Sequence, residues 1–240
     1  MTALFVSDIH LDFDHEVRLR ALDQVLNSAL REDAEIYILG DLVEVWVGDD
    51  DDSAFADTLR EMLGKYGERT ALYLMHGNRD FLFGPQFASE VNAKMLDDPS
   101  IIELGNQRHL LSHGDAFCTS DTDYQQMRRL FRSKEFQQNF LSQDLATRRD
   151  FAQNVRAQSQ KSNANKPEQI TDVVEDEVRK ALERHDCCTA IHGHTHRPGM
   201  HDMGEGLSRY VLGSWERCGW PGWFRDEFTL QCFSIEGAPL

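Results

Sequence analysis

The chain has 240 residues, 40% of them hydrophobic, and sets 41 Asp and Glu against 25 Lys and Arg for a net charge of −16. That length suffices for one α/β domain with a sizeable core, and the acidic balance argues against a general nucleic-acid binder, which needs a basic face. Mean hydropathy is −0.52, and no apolar run approaches the roughly 18 residues of a membrane span.

Leu4-Phe5-Val6-Ser7 reads as a strand buried on both faces, breaking at Asp8-Ile9-His10. Asp8 interrupts the run and no basic segment precedes it, so no secretory leader is expected. Leu22, Val25, Leu26, Ala29 and Leu30 then recur at helical spacing. A second strand at residues 35–39 ends on Gly40-Asp41, so the unit is βαβ and its strands are expected to be parallel. After Trp46-Val47-Gly48, the four acids at 49–52 read as a solvated loop and helix N-terminus rather than a metal site.

Phe55, Leu59, Met62, Leu63 and Tyr66 mark the next helix, and the strand at 71–75 runs into His76-Gly77-Asn78-Arg79-Asp80. Residues 81–96 read as a helix or loop packing back on the sheet. A fourth strand, His109-Leu110-Leu111-Ser112, runs into His113-Gly114-Asp115.

Residues 115–166 are polar, helical in composition, and hold nine Lys/Arg against six Asp/Glu. This local balance of +3 leaves −19 on the rest of the chain, so an anionic ligand is expected to be held from this segment or by a metal. Two apolar stripes run through it, Tyr124/Met127/Leu130/Phe131 and Phe136/Phe140/Leu141/Leu145, beside Arg128, Arg129, Arg132, Arg148, Arg149 and Arg156. The segment reads as a helical insertion over the site, with residues 159–166 a polar connector. Ile170, Val173, Val174, Val178, Ala181 and Leu182 pattern a further helix before the fifth strand, Thr189-Ala190-Ile191, which ends at His192-Gly193-His194-Thr195-His196. Antiparallel strands are expected from Tyr210 around a turn at Gly219-Trp220-Pro221-Gly222. Trp215, Trp220, Trp223 and Phe224 there form either a buried cap or an apolar rim for lipid. The five cysteines, odd in number and without a C-x-x-C pair, point to a reducing compartment rather than a disulfide framework.

Each strand end taken singly is a weak signal. Together they place Asp, His and Asn at five apolar termini, where core packing would not choose them unless something satisfies their polarity. Two divalent cations would do so, and carboxylate and imidazole ligands without thiolates suit Mn²⁺, Fe²⁺ or Zn²⁺.

At these residues the chain resembles the calcineurin-like metallophosphoesterases. Asp8-x-His10, Gly40-Asp41, Gly77-Asn78-Arg79-Asp80, His113-Gly114-Asp115 and Gly193-His194-Thr195-His196 match the family's five blocks in order. The resemblance implies a four-layer α/β/β/α sandwich over residues 1–240, with a helical lid inserted at about 115–166. It implies one metal on Asp8, His10, Asp41 and His196 and a second on Asp41, Asn78, His113 and His194, Asp41 bridging. His76 and His192 fall outside those ligand positions and are expected to support or pack.

Many family members have a histidine where this chain has Arg79. Arginine cannot protonate a leaving group but can hold a phosphate bidentately, which suits cleavage of a pyrophosphate bond. The flanking residues resemble the subgroup acting on UDP-2,3-diacylglucosamine in lipid A biosynthesis. This implies Mn²⁺-dependent hydrolysis to UMP and 2,3-diacylglucosamine 1-phosphate at the cytoplasmic face of the bacterial inner membrane. The same resemblance assigns substrate contacts to Asn78, Arg79, Asp121, Ser159, Asn163, Lys166 and His194, and catalysis to Asp41, Asn78, Arg79 and His194. The other readings are a phosphodiesterase or nucleotide pyrophosphatase with a soluble substrate, and a protein-binding scaffold on the same fold, which would have lost metal ligands that here are complete.

Overall fold

The computed structural model describes residues 1–13, 16–163 and 170–235, the side chains of residues 158–163 excepted. Its first part alternates strand and helix: β1 (Ala3–Val6), α1 (Glu16–Arg31), β2 (Glu35–Leu39), α2 (Ala54–Gly67), β3 (Leu72–Met75), α3 (Pro85–Glu90) and β4 (Ala93–Leu96). These four strands pair in parallel in chain order. A hairpin of β5 (Ser100–Leu104) and β6 (Gln107–Ser112) follows. Then come α4 (Thr122–Phe131), α5 (Lys134–Leu141), α6 (Leu145–Asn163) and α7 (Glu175–His185). The chain continues through β7 (Thr189–His192), β8 (Gly199–Asp202), β9 (Ser208–Val211), β10 (Cys218–Gly219), β11 (Gly222–Phe224), β12 (Phe228–Leu230) and β13 (Phe233–Ser234).

The strands make a six-stranded sheet, β12-β11-β1-β2-β3-β4, a five-stranded sheet, β5-β6-β7-β9-β8, and the small β10-β13 pair. Period-two alternation divides the buried residues of the first sheet between two cores. Leu4, Val6, Ile36, Ile38, Leu72 and Leu74 pack with Leu22 and Leu26 of α1 and Leu59 and Leu63 of α2. Phe5, Tyr37, Leu39 and Met75, on the opposite face, pack with Leu111 and Ile191 of the second sheet. Leu110 and Ala190 then face Val178, Ala181 and Leu182 of α7. The order is thus helices, sheet, sheet, helix, the expected α/β/β/α sandwich. Fully burying each Leu, Ile or Val contributes about 1.5–3 kcal/mol, so strands buried on both faces anchor their own ends firmly.

Three sequence expectations change. Residues 81–96 are a short helix followed by an edge strand, β4; its four residues lack the β-branched run that would have signalled a strand. The glycines at 219 and 222 do not close a hairpin, because β10 pairs with β13 whereas β11 pairs with β1 and β12. They are glycines because a Cβ would lie 2.3 Å from the Phe233 ring and 2.4 Å from Phe228, respectively. Helix α6 reaches Asn163, so part of the expected polar connector has a helical backbone. Trp215 and Trp223 are buried, and Trp215 meets Phe233 edge-on at 5.4 Å, which makes this a core cap and not a lipid rim.

The acidic run at 49–52 has a use of its own. Asp49 accepts from the Gly84 and Phe87 amides, each at 2.9 Å, at the start of α3. Asp50 pairs in two-pronged fashion with Arg148 of α6, and Asp51 and Asp52 each accept from Arg149 at 2.6 Å. Arg148 is 2% exposed and also donates to the Val47 carbonyl at 2.7 Å. Arg148→Ala strips that carbonyl of its partner and is expected to cost about 1–3 kcal/mol in urea unfolding. Asp50→Asn, at a largely exposed carboxylate, should cost less.

Candidate metal centre

The five strand ends meet although they belong to two sheets. β1, β2 and β3 deliver Asp8, Asp41 and Asn78, while β6 and β7 of the second sheet deliver His113 and His194. Loop amides carry the parallel pairing past the strands: Asp8 N donates to Gly40 O at 3.1 Å and His10 N to Asp41 O at 3.0 Å. Gly193 N donates to His113 O at 2.9 Å, and the His194 amide donates to Asp8 Oδ2 at 2.9 Å across the sheets.

Asp8, His10, Asp41, His194 and His196 all sit in the left-handed region, with φ of 54°, 52°, 53°, 68° and 55°. Asp and His tolerate it better than most residues, yet it costs about 1–2 kcal/mol each. Packing of the strands behind them holds the strain. Glycine is required beside them: a Cβ on Gly77 would lie 2.1 Å from Asp41 Oδ1, and one on Gly193 would lie 2.2 Å from Asp8 Oδ2.

The atoms converge on two points. Asp8 Oδ1 and His196 Nε2 are 3.3 Å apart, as are His10 Nε2 and His196 Nε2. Asp41 turns Oδ2 toward His10 Nε2 at 3.8 Å and Oδ1 toward His113 Nε2 at 3.7 Å, so its two oxygens serve two groups. Asn78 Oδ1 lies 3.1 Å from His113 Nε2 and 2.9 Å from His194 Nδ1. Hydrogen bonding alone would favour the reversed amide, with its NH₂ facing Asp41, His113 and His194. An oxygen facing two imidazole nitrogens is the arrangement a cation satisfies. His113 Nδ1 bonds the Leu39 carbonyl at 2.9 Å, which leaves Nε2 free as a ligand atom.

The electrostatics agree. Burial pushes His113 down, but Asp41, Asp115 and Asp8 more than offset it and raise it to about 9. Burial and then the charge of His113 push neighbouring His194 down to about 4. Burial pushes Asp8 up, and His196, His113 and His10 more than reverse it, leaving its carboxyl below the usual range. The pocket thus attracts positive charge while the imidazoles cannot all be protonated. Divalent ions displace protons from such a donor set, and the residues present fit them.

The remaining predicted residues divide. Arg79 donates its amide to Asp41 Oδ1 at 2.8 Å and lines the cleft beside the site. Asp121 is buried as the N-cap of α4, accepting from Tyr124 N at 3.1 Å. Ser159, Asn163 and Lys166 lie outside the residues whose side chains are described. His76 lies 2.7 Å from the Phe83 carbonyl. The buried His192 contacts the Gly193 carbonyl through Nδ1 at 2.9 Å and Arg209 through Nε2 at 3.4 Å.

Three residues have roles that the sequence reading did not assign, although Asp80 and Asp115 stand in its matched blocks. Asp80 bridges the loops after β2 and β3, accepting from Leu42 N and Gly77 N, both at 2.7 Å. Asp115 accepts from Tyr124 Oη at 2.6 Å and Arg128 Nε at 2.8 Å, docking α4 so that the Tyr124 ring lies 5.7 Å from His194. Glu44 stands 3.1 Å from His10 Nδ1; its signal was a lone charge within the apolar stretch at 42–47. Burial pushes Glu44 up, but His10, Arg79 and Arg156 bring it down to about 2.

Two adjoining clefts open from Asn78 and Arg79. Phe81, Phe131, Phe136, Phe140 and Phe151 line them on the apolar side, with Arg128, Arg132 and Arg156 at the polar edges. Phe81 of the body stacks on Phe131 of α4 at 5.7 Å.

Residues 1–198 match the family model described as calcineurin-like phosphoesterase. UDP-2,3-diacylglucosamine hydrolase of Cellvibrio japonicus (strain Ueda107) is 41% identical over 224 residues, covering 92% of this chain and 93% of the relative. Its namesake from Chromobacterium violaceum is 43% identical over 219 residues, covering 90% and 91%. A structure titled as a novel archaeal phosphodiesterase, 13% identical, superposes with a TM-score of 0.51 over 97% of this chain and 100% of that one, a likeness of fold.

His192 generates a pH prediction. Burial, followed by Arg209 and His194, lowers it from 6.5 to about 4, so the unfolded chain takes up a proton that the folded chain refuses. Its contribution is present above the unfolded value and is lost as pH falls toward the folded one. Urea stability is expected to drop by up to about 3 kcal/mol across that window, and His192→Gln should flatten the slope.

Proposed function

Because the chain belongs to the calcineurin-like phosphoesterases, we propose that it hydrolyses the pyrophosphate bond of UDP-2,3-diacylglucosamine, releasing UMP and 2,3-diacylglucosamine 1-phosphate in lipid A biosynthesis. The names of its relatives support the substrate. The observation that carries the reading is the continuity of the site with a phenylalanine-lined cleft edged by arginines. A diacylated sugar phosphate needs both surfaces side by side. A soluble nucleotide needs only the polar one.

Asp8, His10, Asp41 and His196 would hold one metal and Asp41, Asn78, His113 and His194 the second, and donors that are all oxygen and imidazole nitrogen suit Mn²⁺. When bound, such a pair would supply an activated water and neutralise phosphoryl charge for attack at the α-phosphorus. The chain's own residues supply placement. Asp41 faces both ligand groups. Arg79 and Arg156, on the cleft wall, are placed to bind phosphate oxygens bidentately. The sugar 1-phosphate leaves as a stabilised anion and needs no proton, consistent with arginine in place of a general acid.

In this reading α4, α5 and α6 form the lid, within residues of about 115–166, and the phenylalanine cleft receives the acyl chains. Of these rings Phe140 is buried in the core and Phe81 and Phe136, partly buried, pack against it. No helix of the described residues is long and apolar enough to cross a membrane. Leu130, Leu141 and Phe151 are exposed on the lid helices, which supports peripheral contact with the inner-membrane surface where such a substrate resides.

The deciding experiment is Mn²⁺-dependent UMP release from UDP-2,3-diacylglucosamine, run beside UDP-glucose and bis-p-nitrophenyl phosphate. A preference for the lipid of at least about 100-fold, near 2.7 kcal/mol, is expected; equal turnover of all three would leave a phosphoesterase of soluble substrates. Phe131→Ala with Phe136→Ala should depress lipid turnover about 10–100-fold, given about 1–3 kcal/mol per lost apolar contact, and spare the small diester. Asp41→Ala should abolish both. A chelator should lower the melting temperature and Mn²⁺ restore it, by about 2.7 kcal/mol at a hundred times the dissociation constant.

A further inference from the structure

Glu44 is used by neither the ligand set nor the lid as described, yet it touches both. It follows the metal-site aspartate by three residues, and its amide donates to Leu11 O at 2.8 Å, which seats it beside the loop carrying His10. Its carboxylate is 12% exposed and faces three cationic or potentially cationic groups. Oε2 lies 3.1 Å from His10 Nδ1. Oε1 lies 3.0 Å from Arg156 Nε of α6 and 3.9 Å from Arg79 Nη1.

The His10 ring has its two nitrogens on opposite errands. Nε2 faces Asp41 and His196, at 3.8 and 3.3 Å, and Nδ1 faces Glu44. The Glu44 contact lies off-axis for a full hydrogen bond, but a carboxylate at that distance still stabilises a proton on Nδ1 and so keeps the Nε2 lone pair exposed. Carboxylates behind a ligating imidazole commonly work this way. What is particular here is the sharing. The same carboxylate accepts from Arg156, a residue of the insertion, 112 positions away in the chain.

We infer that Glu44 is a positioning residue that fixes the tautomer and orientation of His10 for metal binding and ties that ligand to helix α6 through Arg156. The inference rests on the metal-site reading above. The tie is reciprocal, since any coupling that makes the seated helix favour the metal also makes the metal favour the seated helix. Asp12 Oδ2 stands 3.8 Å from Arg156 Nη2, so the guanidinium meets two carboxylates and α6 has a defined seat beside the site.

The test is a calorimetric titration of Mn²⁺ into metal-stripped protein, for the wild type, Glu44→Ala, Glu44→Gln and Arg156→Ala, with melting temperatures recorded for each. Glu44→Ala is expected to weaken one of the two Mn²⁺ equilibria about 10–100-fold and leave the other within about threefold. Glu44→Gln, which keeps an acceptor oxygen for Nδ1, should recover most of that loss. Arg156→Ala should weaken the same equilibrium by a smaller factor. Unchanged binding in Glu44→Ala overturns the inference. So does loss of both ions together with a collapsed melting temperature, which would mark Glu44 as structural. If the wild type binds no Mn²⁺, the metal-site reading itself has failed; if it binds two ions and the variants match it, only the role of Glu44 has.

Discussion

The carboxylate of Asp41 is the point on which the structure turns. It is buried between two sheets and directs one oxygen to each of two imidazoles, while its backbone sits in the left-handed region. A buried carboxylate without compensation is costly. Everything around it supplies compensation: the Arg79 amide on one oxygen, imidazoles on both sides, and room for divalent charge between them. The glycine at 77 exists because any larger residue would occupy the carboxylate's space.

A second layer of charge joins the insertion to the body. The body is strongly acidic and the insertion carries a positive balance, but its arginines are not an open basic surface. Arg148 and Arg149 meet the acids at 50–52, Arg128 meets Asp115, and Arg156 meets Glu44. These pairs seat α4 and α6 beside the site, next to a phenylalanine-lined cleft. Arg79 and Arg156 line the cleft and also meet Glu44, the carboxylate behind His10. Charge thus positions these helices, whereas apolar surface gives the cleft its character.

The strand ends could be read from the chain because burial on both faces writes itself as short apolar runs, and a run that ends in Asp, His or Asn has no packing excuse for them. The helices of the first part were equally legible from their 3.6-residue stripes. β4 was not, since four residues of mixed polarity at a sheet edge carry no period. The paired glycines at 219 and 222 were misleading because a glycine needed for ring contact looks the same in sequence as one needed for a turn. The pairing of the acids at 50–52 was not legible because their arginine partners lie 97 or 98 residues further on.

The sequence by itself determined the chemistry of the donors: which residue types end each strand, their order, and the absence of a general acid at Arg79. Those are local properties, set by the neighbours of each residue along the chain. Only the tertiary structure decided that the five ends come from two sheets, that Asp41 faces two groups, that Asp115 docks α4, and that Glu44 stands behind His10. Each of these depends on groups brought together by the packing of one sheet on the other and of α4 and α6 on the loops beside them. Long-range juxtaposition of that kind leaves no period or spacing in the chain, because the free energy that fixes it comes from burial summed over the whole core and not from any one segment.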